Sequence, residues 1–306
     1  MASEYRKCEG VHNLLPHFQY HSGMGRRLFL SALLATLGLL PASLEAQDPP
    51  VEIDPEGVEN YPYTHDIGFG GYDAGEQQVV NVKIPVSRLF RDPEERRWGL
   101  RLRFPISFGV YGLTLGDFLE DLDFDVDRIK ALTFVPAAEF LIPLSEHWML
   151  KPRQDLGVGK DFEGGDWVLI LATEVQGLYT KPWKSLVFTF GSGVKYSFSD
   201  SSRGLYDDDF ARLEVGLDTL IPLGLDIGQR RVNFSLYIIG RHYFRALVFD
   251  QLVHDPLIIE QEGEIGITFG STPSPRIWKF SVPRLLIGYR FAENFRGLRI
   301  KLGLPF

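Results

Sequence analysis

The chain has 306 residues with 40 acidic and 32 basic side chains, which gives a formal net charge of −8. This acidic balance excludes nucleic acid as an expected partner, because nucleic-acid binding needs a basic surface. The chain also lacks an uninterrupted apolar run of about 18 residues, which excludes a helical membrane protein. Cys8 is the single cysteine, so no disulfide can form within the chain.

The first 46 residues have the features of a targeting region. A basic stretch from Met24 to Arg27 precedes an apolar run from Leu28 to Leu40 and a segment of small residues that ends at Ala46. This order is typical of a secretory signal peptide, so we predict cleavage after Ala46. Residues 1–23 are interpreted as the product of a misassigned start upstream of Met24. A metal-binding head is the alternative, but Cys8 and the nearby histidines do not have ligand-like spacing.

The mature chain is predicted to begin with a lead-in, residues 47–62, which is rich in proline and acidic residues. Residues 63–306 then divide into segments in which apolar and polar residues alternate, as in strands with one apolar face. The twelve predicted strands are Tyr63–Tyr72, Gln77–Ser87, Arg97–Leu113, Lys130–Pro143, Ser145–Gly159, Asp166–Thr180, Lys184–Phe198, Asp209–Pro222, Arg231–Ala246, Leu257–Gly270, Arg276–Phe291 and Arg296–Phe306.

The connections between these segments alternate in character. Prolines fall at every second strand end, at Pro85, Pro143, Pro182, Pro222 and Pro273, and basic residues accompany them. Proline stops strand pairing because it has no N–H to donate. The other connections are longer and acidic, such as residues 116–127. This segregation, together with an even strand number, predicts an up-and-down barrel with both termini at the same end.

The final segment has the most regular alternation in the chain. Its apolar residues are Leu298, Ile300, Leu302, Leu304 and Phe306. An alternating segment that closes on phenylalanine resembles the terminal strand of bacterial outer-membrane β-barrels, although Pro305 departs from the usual pattern. This resemblance covers residues 63–306 and implies an all-β fold, a transmembrane antiparallel β-barrel of about twelve strands. It also implies that the five apolar residues form the signal read by the barrel-assembly machinery.

If the apolar faces meet lipid, the opposite faces line a lumen that holds many charges. Cross-strand neighbours in an antiparallel pair lie about 5 Å apart, so opposite charges there would form ion pairs. The residues predicted to line the lumen are Arg101, Arg103, Lys151, Arg153, Glu214, Asp218, Arg241, Arg245, Glu260, Glu262, Glu264, Arg284, Arg290, Arg299 and Lys301.

Two functions of different classes follow from this interior. The first is a narrow passive channel for small polar solutes, in which the charged wall sets selectivity. The second is a plugged barrel with a structural or surface-interaction role, because side chains can nearly fill a lumen of this size. A translocator barrel of the autotransporter kind is also similar, but the short lead-in leaves no passenger to export.

An enzyme is not expected. Some outer-membrane barrels act on lipids with a serine and histidine pair, and His242 is the candidate histidine, but no serine accompanies it in a plausible motif. We expect no cofactor and no metal site.

The expected partners are outer-membrane lipid, lipopolysaccharide and the assembly machinery, and the expected location is the cell outer membrane.

Overall fold

The structure is a computed structural model that describes residues 61–75, 77–93, 97–111, 129–162, 165–202, 208–228, 230–249, 255–272, 276–277, 280–281 and 284–306. Within these ranges it has a helix, α1 (Tyr61–Ile67), and seventeen strand segments. No helix in this part of the chain is long and apolar enough to cross a membrane. The strands are β1 (Phe69–Ala74), β2 (Gln77–Ile84), β3 (Ser87–Arg91), β4 (Gly99–Arg103), β5 (Ile106–Tyr111), β6 (Ile129–Phe134), β7 (Ala137–Pro143), β8 (Trp148–Asp161), β9 (Trp167–Trp183), β10 (Leu186–Ser201), β11 (Asp209–Ile227), β12 (Arg230–Phe249), β13 (Leu257–Thr272), β14 (Arg276–Ile277), β15 (Phe280–Ser281), β16 (Leu285–Ala292) and β17 (Phe295–Leu302).

The strands form a closed antiparallel barrel of twelve wall strands, which confirms the predicted fold class. Three of the wall strands consist of two segments each, β2 with β3, β4 with β5, and β6 with β7. Pro85, Pro105 and Pro136 lie at these three interruptions, where an N–H is missing from the ladder. Pairing of β1 with β17, from Phe69 opposite Ile300 to Ala74 opposite Phe295, closes the barrel. Segments β14 and β15 form a separate two-stranded ribbon.

The barrel is inverted relative to a soluble protein, with apolar side chains outside and polar side chains inside. On β12, Leu236 is 51% and Ile238 is 57% exposed, whereas Ser235 and Arg241 are buried. The same alternation exposes Trp167 and other large apolar residues on β9. An apolar outer band around a polar interior is the pattern of a transmembrane barrel, in which lipid covers the outer face.

The first predicted strand is wrong for residues 63–68. Residues from Tyr61 to Ile67 form α1, and the wall begins only at Phe69. Tyr63 and Ile67 are four residues apart, so a helix places both on one face, and both are buried in an apolar cluster inside the barrel.

The terminal strand also ends earlier than predicted. Leu298, Ile300 and Leu302 belong to β17, but Leu304 and Phe306 do not. Gly303 has a φ of 121°, and its N–H donates to the Arg284 carbonyl at 2.8 Å. The turn at Gly303 directs the last three residues into the barrel, where Phe306 is buried. The prediction that Leu304 and Phe306 lie on the lipid face is therefore wrong.

Candidate functional site

The candidate site is the barrel interior, and an ion-pair network centred on Arg241 occupies its middle. The Arg241 guanidinium donates to Glu214 at 2.7 Å, to Glu262 at 2.8 Å and to Glu264 at 2.7 Å. These contacts form because β12 lies between β11 and β13, with Arg241 opposite both Glu214 and Glu262 in the registers. The side chains of Arg241, Glu262 and Glu264 are 0% exposed.

Two further arginines, together with Arg241, balance the negative charge of the three carboxylates. Arg290 on β16 donates to Glu262, with one contact of 2.8 Å, and Arg299 on β17 donates to Glu264 at 2.6 and 2.9 Å. Two tyrosine hydroxyls complete the shell, Tyr243 on Glu262 and Tyr237 on Glu264, both at 2.8 Å. Buried charges are tolerated only when paired and hydrogen-bonded, and each of the three carboxylates here accepts from at least one arginine.

A second group of charges lies along β7, β8 and β9. Glu139 accepts from Arg101 and Arg103, each at 2.7 Å, and Lys151 lies 3.8 Å away. Arg153 bridges Asp155 and Glu174 at 2.8 and 2.9 Å. On β11, two strands from β9 in the wall, Asp218 accepts from Arg284 at 3.0 Å. Among these residues Glu139 was missed by sequence reasoning, although its position between Ala138 and Phe140 fits an inward polar position.

Two of the predicted lumen residues lie elsewhere. Arg245 has a side chain that is 56% exposed and contacts Asp209, and Glu260 is also exposed. The pairing of β12 with β13 is irregular between His242 and Leu247. On β12 the irregularity exposes Arg245 before burial resumes at Leu247, and on β13 the buried positions change from Glu262 to Ile259. Leu247 and Ile259 are buried in their place. A single irregularity of this kind is invisible in a pattern of strict alternation.

Helix α1 is bound to the interior by its own charges and carbonyl groups. Asp66 accepts from Lys195 at 2.6 Å and from Arg212, and Arg290 lies 3.9 Å away. His65 contacts Asp155 at 3.2 Å. The amide of Asn81 donates to the Thr64 carbonyl at 2.9 Å, and Lys83 donates to the His65 carbonyl at 2.7 Å. Several wall strands thus hold α1 through polar contacts.

An aromatic cluster packs against the same helix. The Tyr63 ring stands edge-on to Tyr72, Phe249 and Phe295, with centroid distances of 5.3, 5.4 and 5.7 Å. The Arg290 guanidinium lies 4.9 Å from the Tyr63 centroid. Aromatic pairs in this geometry add about 0.5–1.5 kcal/mol each beyond their buried area. Sequence reasoning missed the roles of Tyr63 and Asp66 because it assigned both residues to a wall strand.

Helix α1 lies inside the barrel and is not part of its membrane-spanning wall. The groups around it fix the charge states of its polar residues. Burial lowers the pKa of His65 to about 3, and the nearby charge of Lys83 lowers it further. The contact with Asp155 acts in the opposite direction but is the weaker effect. Burial alone would raise the pKa of Asp66, but Arg212 and Lys195 hold it well below its usual value. At neutral pH the helix therefore presents a neutral imidazole and a carboxylate to the wall.

The C-terminal tail, residues 303–306, also lies in the interior. Phe306 packs with Leu178, Tyr237, Ile239 and Leu286. The Pro305 carbonyl accepts from Arg299 at 3.0 Å, and Lys301 donates to the Phe306 carbonyl at 3.2 Å. Lys301 and Arg299, both predicted as lumen residues, therefore hold the tail rather than face an open path.

The fit of the tail depends on two glycines in the wall. A Cβ at Gly191 would lie 2.6 Å from Cγ of Phe306, and a Cβ at Gly216 would lie 2.5 Å from Cε1. We expect Gly191→Ala to displace the tail and to lower the free energy of unfolding by about 1–3 kcal/mol. In a Phe306→Ala background the same change should cost almost nothing, because the three closest neighbours of that Cβ all belong to the Phe306 ring. Urea unfolding of the four proteins in micelles measures this coupling, and additive effects would contradict the packing.

The described residues contain no group of three or more His, Cys, Asp or Glu side chains that could hold a metal ion. The exposed His242 lies on β12, and its ring centroid is 5.2 Å from that of Phe244.

No protein-family model matches the sequence, and no curated protein gives a significant match. Solved structures with a similar fold include the β domain of the Bordetella autotransporter BrkA, with a TM-score of 0.45 and 11% identity over 75% of this chain and 94% of that one. The translocator domain of the autotransporter NalP from Neisseria meningitidis has a TM-score of 0.46 and 10% identity over 78% of this chain and 85% of that one. The NanC porin has a TM-score of 0.38 and 11% identity over 78% and 98%. These likenesses concern the fold alone.

Proposed function

We propose that the protein is an integral outer-membrane β-barrel whose lumen is closed by its own interior residues, and that it acts through its surfaces rather than as a passive channel. One observation carries this proposal. The side chains of Arg241, Glu262, Glu264 and Arg290, which would have to face a solute path, are 0% exposed and bonded to one another.

The contents of the interior support the same proposal. A selective pore needs charged groups that exchange contacts with a passing solute. Here the carboxylates are saturated by arginines and tyrosines, α1 adds Asp66 and Tyr63, and the tail adds Phe306. Twelve strands enclose a space small enough for such groups to fill. The passive channel remains the alternative, and it would require these groups to separate.

An outer-membrane location is part of the proposal. The exposed apolar band supports it, and the signal peptide predicted at residues 24–46 agrees with it. We further propose outer-membrane lipid and lipopolysaccharide as neighbours, the assembly machinery as the factor that inserts the barrel, and no enzymatic role for the chain. The assembly signal would then rest on Leu298, Ile300 and Leu302, since Leu304 and Phe306 are turned inward.

Solute flux tests the closed lumen. Residues 47–306 are refolded into lipid vesicles, and the entry of small neutral and charged solutes is followed by light scattering. We expect entry no faster than in protein-free vesicles. A heat-dependent shift on gels verifies that the barrel is folded in each preparation. Entry that falls with solute size and changes in Glu262→Gln would contradict the proposal and support the passive channel.

A further inference from the structure

A groove crosses the outer face of the barrel wall over β9, β10 and β11, close to the turn that joins β9 to β10. Its volume is about 450 Å³, and it is lined by Tyr179, Lys181, Trp183, Phe188, Phe190 and Leu217. The residues that alternate with these face inward, since Leu178 packs with Phe306 inside the barrel and a Cβ at Gly191 would meet the same ring. The groove therefore opens on the side of the wall that lipid covers.

The groove begins where the neighbouring strands end. Lys181 is two positions from Trp183, the last residue of β9. The N–H of Thr180 donates at 2.8 Å to the carbonyl of His147, which lies in the turn before β8. Lipid headgroups lie at the ends of membrane-spanning strands, so Lys181 is at the boundary between headgroups and hydrocarbon.

Two cross-strand rows give the groove a direction. Lys181 lies opposite Phe188 in the row near the strand ends. The next outward row consists of Tyr179, Phe190 and Leu217 and lies further from the ends of β9 and β10. Phe190 is 41% and Leu217 is 39% exposed. The groove therefore leads from a cation at the headgroup level to apolar side chains at the level of the hydrocarbon.

Aromatic rings beside the groove indicate the same level. Trp183 is exposed, and its ring centroid lies 6.0 Å from that of Phe188. Trp148, the first residue of β8, is also exposed, and its ring lies 4.9 Å from that of Tyr179. Exposed tryptophan and tyrosine rings gather at membrane–water interfaces, where the ring contacts acyl chains and the polar atom contacts headgroups.

Two lysines give this end of the groove a positive charge. Lys181 is exposed within the groove, and the Lys184 ammonium in the adjoining turn lies 5.1 Å from the Trp183 ring centroid. In the part of the chain that the structure describes, no carboxylate forms an ion pair with either lysine. A lysine at this level can rest its methylene groups on apolar rings while its amine reaches the headgroups. Cations beside an apolar groove complement a molecule that has an anionic head and an apolar chain.

We propose that the groove binds one anionic phospholipid. Lys181 and Lys184 hold its phosphate group, and an acyl chain lies over Phe190 and Leu217. A free phosphate would use only the cations and would leave the apolar part of the groove uncovered. The site rests on the proposed outer-membrane location and adds to it a preference for headgroup charge at one place on the wall.

Trp183 is the reporter for a test of this site. The full chain is refolded into phosphatidylcholine vesicles that contain phosphatidylglycerol, and one lipid at a time carries bromine on its acyl chains, which quenches nearby tryptophan. The difference between the unsubstituted protein and Trp183→Phe isolates the signal of this residue. We expect phosphatidylglycerol to associate about fivefold or more tightly than phosphatidylcholine, because one lysine near anionic lipid contributes about 1 kcal/mol.

Charge and apolar contacts are separated by three variants. Lys181→Gln with Lys184→Gln should bring the preference close to one without changing the quenching by phosphatidylcholine. The matched control, Arg88→Gln with Arg296→Gln, removes two charges at exposed residues of β3 and β17 and should keep the preference. Phe190→Ser should weaken the association of both lipids and keep the ratio between them.

Three outcomes with a folded barrel overturn the proposal. The first is equal quenching of Trp183 by both lipids, and the second is a preference that persists in the lysine variant. The third is displacement of phosphatidylglycerol by glycerol phosphate, which would mean a phosphate site without a lipid chain. A chain that neither enters vesicles nor shows the heat-dependent gel shift would instead contradict the outer-membrane location, so the two failures are distinguishable.

Discussion

Arg241→Met is expected to lower the free energy of unfolding by about 3–5 kcal/mol, because removing one member of a buried ion pair leaves its partners charged and unpaired. Arg241 donates to three carboxylates, and its contact with Glu214 at 2.7 Å is shorter than the 3.3 Å contact that Arg212 makes with the same carboxylate. Methionine has a similar length and cannot donate a hydrogen bond. Reversible urea unfolding in micelles, followed by tryptophan fluorescence, measures the change.

The matched control is Arg296→Met, which makes the same chemical change at an exposed residue of β17. A surface change of this kind is expected to stay within about 0.5 kcal/mol. Equal effects of the two substitutions would contradict the central role of Arg241. A second check combines Arg241→Met with Glu214→Gln, which should recover part of the loss because one cation and one carboxylate are removed together. Arg290 and Arg299 then still pair with Glu262 and Glu264, and Arg212 still pairs with Asp66.

Asp66→Asn is expected to release α1 from the interior. The amide keeps the shape of the carboxylate but cannot balance Lys195, Arg212 and Arg290. Loss of a buried charge partner worth about 3 kcal/mol should raise the hydrogen-exchange rates of the Tyr61–Ile67 amides by roughly 150-fold. Exchange measured by mass spectrometry at neutral pH reports this change.

Asp73→Asn is the control for the helix, since Asp73 is an exposed carboxylate on β1 only a few residues away. In this variant the helix amides should exchange as in the unsubstituted protein. A helix that stays protected in Asp66→Asn would mean that the aromatic cluster around Tyr63 is sufficient to hold it. Lys195→Met in the Asp66→Asn background should restore part of the protection, because one unpaired cation is then removed.

The fold class was predictable because it depends on a repeated physical feature. Every wall strand must place alternate residues in lipid, so residues such as Leu236 and Ile238 on β12 show period two in the sequence. The opposed charges were also visible, and Arg241, Glu262 and Arg290 fall on neighbouring strands because register follows from the same alternation. Twelve segments could therefore be counted in the sequence alone.

What the sequence did not predict depends on local exceptions to that alternation. Residues 63–68 carry an apolar pair at helical spacing, Tyr63 and Ile67, within a stretch too short to reveal a period. The irregular pairing beyond His242 leaves Arg245 and Glu260 exposed without any marker residue. Phe306 continues the alternation of β17 in sequence, but the turn at Gly303 removes it from the strand. In each case tertiary contacts decide between two locally acceptable structures.

The inward course of both chain ends links the interior to the wall. Because α1 and the C-terminal tail occupy the lumen, they no longer extend the wall strands at one end of the barrel. Among the residues that the structure describes, β3 lies at the end of the sheet order.

Single-channel conductance of refolded residues 47–306 in a planar bilayer tests the closed lumen most directly. A closed lumen predicts a folded protein that shows no steady conductance at moderate voltage, with Arg241→Met and Asp66→Asn as the variants in which brief openings should appear. Steady conductance of the unsubstituted protein, with an ion preference that changes in Glu262→Gln, would contradict a closed lumen and show that the interior charges line an open path.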